Sequence, residues 1–282
     1  MIQFKKIKKY GFFILIIPAL LLVIIFFLIP SLTLIWLSLH IYEGPMKFKE
    51  GLSLKNYVDI FTSPFYLECF IRTIEIAIIS STIATLLAYP LSYTLAKGET
   101  SLTKKLLLII VIFIFFNSTI SRGLSLIFIL GPQGILNKIL MFLGQKPLEM
   151  IHNIQSVIIG LVYITLPFSV FSMLPSIQKI DISLYEMALI LGASKVKAFI
   201  KIILPLSLSG ISTAFSLCLA LTLGAFVIPL ILGGGVVDMI SNVIYYRMMG
   251  TLNYALGSAL SIILFIFSLL ILWVSNKVIR RD

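Results

Sequence analysis

Charge is what this 282-residue chain has least of: 12% of it is Asp, Glu, Lys or Arg, against about a quarter in soluble domains. A soluble globule could not cover its surface with so little charge, and disorder needs the opposite composition. Cysteine and histidine are scarcer still, at two residues each. Cys69 and Cys218 fall at different depths of different apolar runs, which argues against a disulfide, and His40 and His152 stand alone near interfaces without metal-ligand spacing. No metal site is expected. Nor is there a Gly-x-x-x-x-Gly-Lys-Ser/Thr phosphate loop, so no nucleotide or other cofactor is expected on the chain itself. Acidic residues number 11 against 22 basic ones, a net charge of +11. In a soluble protein that surplus would suggest nucleic acid. Here the chain is 60% hydrophobic with a mean hydropathy of +1.12, so nucleic acid is not an expected partner and the lipid bilayer is.

Runs of roughly 20 apolar residues, the length that crosses about 30 Å of hydrocarbon as a helix, occur six times: at about 11–37, 70–96, 106–130, 153–174, 205–232 and 253–275. The runs are continuous and lack the alternation of barrel strands. The first is about twice as long as a signal peptide's apolar region and no small-x-small cleavage site follows it, so it is read as an anchor. Polar stretches at 38–69, 131–152 and 233–252 lie on one side, and 97–105, 175–204 and both termini on the other. The second side holds fourteen Lys and Arg and a net +10, the first side six and a net of zero. Because Lys and Arg mark the cytoplasmic side, both termini are placed inside. The expectation is an all-α, multi-pass (polytopic) membrane protein of six transmembrane helices.

The most informative cytoplasmic stretch is 181–210. Ser183 and Glu186 have the spacing of a capping box, predicting a short helix over 184–191 with Leu184, Ala188 and Leu191 on one face. Gly192 is placed to end that helix in a left-handed conformation. Ser194 can cap a second helix carrying Lys195, Lys197 and Lys201, and Pro205 opens the fifth span. Read from the residues alone, this is either a solvated basic loop or a compact docking knob.

The spacing of Glu186, Ala188, Gly192, Ile202, Leu204 and Pro205 resembles the "EAA" signature of ATP-binding-cassette importer permeases, with Met187 in place of its second residue. Softer matches extend over nearly the whole chain and resemble the spermidine/putrescine permeases: Asn56-Tyr57-Val58, Tyr89-Pro90-Leu91-Ser92-Tyr93, Leu166-Pro167-Phe168, Gly224 to Pro229, and Gly233-Gly234-Gly235. At the end of span three the chain keeps the arginine of that family's pattern in Arg122 but has neither of its aromatics. The resemblance implies a type I importer permease fold in a single transmembrane domain over 1–282, placed in the bacterial cytoplasmic (inner) membrane, with 175–204 as the coupling loop. It implies that Ser183, Glu186, Met187, Ala188, Gly192, Ala193, Ile202, Leu204 and Pro205 couple the permease to an ATPase. The implied partners are a second homologous permease subunit, two ATP-binding subunits that carry ATP and Mg, and an extracytoplasmic substrate-binding protein. The implied cargo is a polyamine, with ferric iron, phosphonate or another small solute as alternatives.

Ionisable groups inside spans are costly and are read first as functional. Arg72 and Glu75 sit one turn into span two from outside, and Arg122 sits at a comparable depth in span three. The expectation is an Arg–Glu–Arg group that is either a plain ionic network or a lining of the outer gate. The polar patch Asn117-Ser118-Thr119 that interrupts span three either lines a pathway or bonds to a neighbouring helix. The resemblance places Phe226 of span five along the pathway, and Asp238 in the following outer segment joins the candidates. Two other classes compete. A secondary transporter would need inverted repeats and paired midplane charges, and a membrane-embedded enzyme would need clustered His, Asp or Cys within spans.

Overall fold

The computed structural model describes residues 16–44, 47–98 and 100–279, apart from the side chains of 276, 278 and 279. Lys5, Lys6, Lys8, Lys9, Glu99, Arg280, Arg281 and Asp282, which contribute to the predicted charge asymmetry, and the first residues of span one lie outside them. Among the described residues six helical stretches are long and apolar enough to cross a membrane: Ile16–Ser38, Pro64–Lys97, Thr119–Phe142, Ile154–Gln178, Lys195–Leu223 and Tyr254–Ser275.

In chain order the helices are α1 (Ile16–Ser38), α2 (Lys55–Thr62), α3 (Pro64–Lys97), α4 (Ser101–Phe116), α5 (Thr119–Leu130), α6 (Ile135–Phe142), α7 (Ile154–Gln178), α8 (Ile182–Ile190), α9 (Lys195–Leu223), α10 (Val227–Gly233), α11 (Ile240–Tyr245) and α12 (Tyr254–Ile279). A two-stranded antiparallel pair, β1 (Tyr42–Gly44) and β2 (Lys47–Phe48), is the one sheet among them.

Two predicted spans are corrected. The third, expected over 106–130, is cut at Asn117 and Ser118, whose backbones are extended at ψ 138° and 143°. That leaves α4 as a separate apolar helix of 16 residues, about 24 Å long and short of a full crossing. The fifth, expected over 205–232, begins ten residues earlier at Lys195 and stops at Leu223. Pro205 does not start that helix but sits in the first turn after a π-helical segment, Phe199–Ile203.

The chain forms two compact units. One comprises residues 1–64 and 244–265. Within it the C-terminal carbonyls of α1, orphaned as at any helix end, find a partner in α2. The Asn56 amide donates to the carbonyls of Ser38 and His40, each at 2.8 Å, and the Tyr57 hydroxyl lies 2.8 Å from that of Ser38. This gives the Asn56-Tyr57 pair a structural role in fixing the outer end of α1.

The other unit comprises 65–243 and 266–282. Its centre is the pairing of α7 with α9, where small residues let the backbones approach. Gly210 faces α7 so closely that a Cβ there would lie 2.7 Å from Ser176 Cβ and 3.3 Å from the Met173 carbonyl. Hydroxyls along these helices bond back to the preceding turn, as Ser207 does to the Ile203 carbonyl at 2.9 Å and Thr165 to that of Leu161 at 2.8 Å. Such bonds allow polar side chains to be buried in the span. Towards the outer end, Ile228 and Leu232 of α10 pack on Leu126 and Leu130 of α5 and on Val157 and Leu161 of α7. Cys69 and Cys218 are both buried and free.

Neither Ser176 Cβ nor the Met173 carbonyl can swing away from a side chain at 210, so Gly210→Val should force the two helices apart. Overpacking of this kind costs about 1–3 kcal/mol, and the expected result is a lower melting temperature of the detergent-purified protein.

Candidate functional site

Two regions of the second unit bear on function. The first lies where spans three and five are broken. Gly224 and Ala225 interrupt the helix between α9 and α10, which frees backbone carbonyls at membrane depth. Hydrocarbon offers them no partner, so irregular backbone persists only where protein supplies one. The Ser241 hydroxyl donates to the Ala225 carbonyl at 2.6 Å, and the Asn242 amide donates at 3.0 Å to the Phe226 carbonyl, which also accepts the Leu230 amide. Both residues belong to α11, the short outer helix that follows a glycine hinge. Gly234 and Gly235 make that hinge with φ of +56° and +75°. Thr73 of span two in turn accepts the Ile240 amide at 2.8 Å and so caps α11.

Beside these breaks is a cavity of about 230 Å³ lined by Thr119 and Arg122 of α5, Ile164 and Thr165 of α7, and the segment 224–228. Arg122 is its charged member. The side chain is 4% exposed; Nη1 donates to the Ile164 carbonyl at 3.1 Å, and Nε has no partner among the described residues. A carbonyl oxygen carries two lone pairs, so that of Ile164 can accept this donor beside a helical one. A buried guanidinium held by one carbonyl is a costly arrangement, and it places a fixed positive charge in the cavity.

The expected Arg–Glu–Arg group does not form. Arg122 turns to Ile164 instead of a carboxylate, and Glu75 is exposed on the surface of α3. The charge of Arg72 acts on Asp238, whose carboxyl is raised above its ordinary value by burial while Arg72 opposes the rise. Helical spacing matched the depths of the three residues but not their directions. Of the predicted pathway residues, Arg122 and Phe226 share the cavity; Arg72, Glu75, Asn117 and Asp238 do not line it. Asn117 is the residue at which α4 ends. Thr165 had no sequence signal beyond being a polar residue in an apolar run, whereas Thr119 belongs to the polar patch that interrupts span three, and Ser241 and Asn242 belong to the segment that follows the Gly233-Gly234-Gly235 match.

The second region is the cytoplasmic knob. Its first helix is corrected in register: α8 starts at Ile182, and its cap is Asp181, which accepts the Ser183 amide at 3.0 Å. A carboxylate at the helix start also meets the positive end of the dipole, and it displaces Ser183 from the capping role. Gly192 follows expectation, with φ +86°. The turn closes through the Gly192 amide to the Leu189 carbonyl and the Ala193 amide to the Ala188 carbonyl, both at 3.0 Å. Ser194 caps the next helical turn by accepting the Lys197 amide at 3.3 Å. Glu186 and Met187 are exposed and Ala188 is half-buried. Ile202 and Leu204 are half-buried around a fully buried Ile203, and Pro205 is exposed. Beyond the signature residues the knob presents Ile190 and Leu191, which are 83% and 87% exposed, together with Val196. An apolar tip on a segment facing water marks an interaction surface.

Residues 76–281 match the family of binding-protein-dependent transport system inner membrane components. The chain is 33% identical over 263 residues to the spermidine/putrescine transport system permease protein PotB of Salmonella typhimurium, covering 92% of this chain and 91% of that one. It is 31% identical over 288 residues to the trehalose/maltose transport system permease protein MalF of Thermococcus litoralis, covering 97% and 95%. Its fold is similar to a chain in the structure of a bacterial alginate ABC transporter in complex with alginate pentasaccharide-bound periplasmic protein. There the TM-score is 0.81 at 20% identity over 98% of this chain and 96% of that one. The chain therefore belongs to the binding-protein-dependent inner-membrane component family, as a multi-pass permease subunit of an ATP-binding-cassette importer.

Proposed function

We propose that this permease pairs with a second, homologous permease subunit to form a path for a polyamine such as spermidine or putrescine. An extracytoplasmic binding protein would deliver the cargo, and two separate ATP-binding subunits, with ATP and Mg, would drive the cycle. The observation that carries the ATPase half of this reading is the knob at 182–198, with its exposed apolar tip at Ile190 and Leu191 beside Glu186. Burying such side chains against a groove stabilises a docked state by roughly 25 cal/mol per Å² of apolar surface, and α8 is then the element that an ATPase subunit moves. The chain performs no covalent chemistry in this scheme. Its partners convert ATP binding into a shift between inward-open and outward-open states.

The polyamine assignment is supported by the identity with PotB. One observation favours a second reading, the same importer carrying an anionic or neutral solute such as phosphonate: among the described residues the charged side chain lining the cavity is Arg122, and no acid lines it with Arg122. In the polyamine reading Arg122 belongs to a gate that must clear before a cation passes.

Three measurements test these statements. Uptake of radiolabelled spermidine by cells carrying the complete importer should be competed by putrescine and not by phosphonate; the reverse selects the second reading. Leu191→Asp and Glu186→Lys should each abolish uptake and prevent co-purification of the ATPase subunits, with membrane protein level unchanged, whereas retained co-purification would remove the docking role. Arg122→Leu should lower uptake severalfold at unchanged expression if the residue gates the path, and unchanged uptake removes the gate.

A further inference from the structure

We propose that the inner half of span two, α3, is the strut that carries movement of the knob into the membrane, with Lys97 as its positioning residue. The proposal rests on the importer reading above and concerns how the two regions of the site communicate.

The inner end of α3 holds both arms of the coupling loop. On the first arm, Lys97 Nζ donates to the carbonyl of Gln178 at 3.1 Å and to that of Ile180 at 2.6 Å. These are carbonyls at the end of α7, where a helix leaves its acceptors unsatisfied and its dipole favours a cation. The next residue is Asp181, the cap of α8. Its carboxyl is held below its ordinary value first by the Ser183 amide and hydroxyl and, to a smaller extent, by the charge of Lys97. One ammonium group thus sits at the joint between span four and the knob helix. One turn back along α3, the Ser92 hydroxyl donates to the Val170 carbonyl of α7 at 3.2 Å.

On the second arm, Phe199 opens the π-helical segment that joins the knob to span five. Its ring meets those of Tyr89 and Tyr93 edge-on at 6.0 and 5.7 Å. The Tyr89 hydroxyl lies 2.9 Å from that of Ser207, one turn beyond the π segment. Tyr89, Tyr93 and Lys97 are spaced four apart, so one face of one helix grips the loop where it leaves span four and where it enters span five. A π turn between the grips is a place where a helix can change its winding. The knob therefore cannot be displaced without either moving α3 or breaking these contacts, and Lys97 is the contact that a single substitution removes.

The test uses the complete complex of both permeases, the ATPase subunits and the binding protein purified from cells with its own ligand bound. The readouts are basal ATP hydrolysis and its stimulation by that binding protein, a signal that must cross the membrane through the permeases. Lys97→Met should leave complex recovery and basal hydrolysis unchanged and lower the stimulation about tenfold, within the usual span of site-to-site couplings. Lys97→Arg, which keeps a charged donor, should retain stimulation. Wild-type stimulation in Lys97→Met, or a parallel fall of basal and stimulated hydrolysis, would overturn the proposal. Should the Lys97→Met complex not be recovered, Tyr89→Phe carries the same measurement on the other arm: lowered stimulation supports the strut and unchanged stimulation overturns it. A wild-type complex that hydrolyses no ATP would remove the importer reading, and the strut with it.

Discussion

Inside hydrocarbon a backbone amide or carbonyl has no water to turn to, and every feature of this permease that is not plain helix depends on how that demand is met. The chain breaks span five at 224–226; α11 returns Ser241 to the Ala225 carbonyl, whose helical donor would be Pro229 and is missing, and Asn242 adds a second donor to the Phe226 carbonyl that opens α10. Thr73 of span two holds α11 in place through the Ile240 amide. The break, the glycine hinge and the short outer helix are thus one device, because none of the three is stable at that depth without the others. What the break gains is a cavity beside span three, with a charged side chain in it.

The knob presents the opposite problem. It lies in water, where backbone groups are easily satisfied and apolar side chains are the expense. Ile190 and Leu191 stay exposed there because a two-turn helix capped by Asp181 and ended by Gly192 is rigid enough to keep them at its tip. The membrane region tolerates polar groups by pairing them, and the knob leaves apolar ones exposed at its tip. Between the two regions run α7 and α9, packed through Gly210 and Ser176 closely enough that displacement of one is felt by the other.

Helix-end chemistry explains why much of the knob was legible in the primary structure. Gly192 and Ser194 act through bonds to residues fewer than five positions away, so their roles follow from spacing. The capping box at Ser183 failed at the same range for a local reason: an aspartate two positions earlier competes better for the first amides of a helix. Arg122 failed for a distant one. Its depth in span three could be counted, but its partner is the carbonyl of Ile164, 42 positions on, and no periodicity points to a backbone acceptor on another helix.

The amino-acid sequence by itself determined six spans, their orientation and the family signature, because hydrophobic length, the sidedness of Lys and Arg, and short-range caps are properties of contiguous residues. Only the tertiary structure decided which atoms satisfy the breaks in spans three and five, which of the buried charges keep company, and that α3 holds both ends of the cytoplasmic loop. The physical reason is the same in each case. A broken helix or a buried guanidinium is tolerated only once atoms from other helices satisfy it, and those atoms are brought within bonding distance by packing rather than by spacing along the chain.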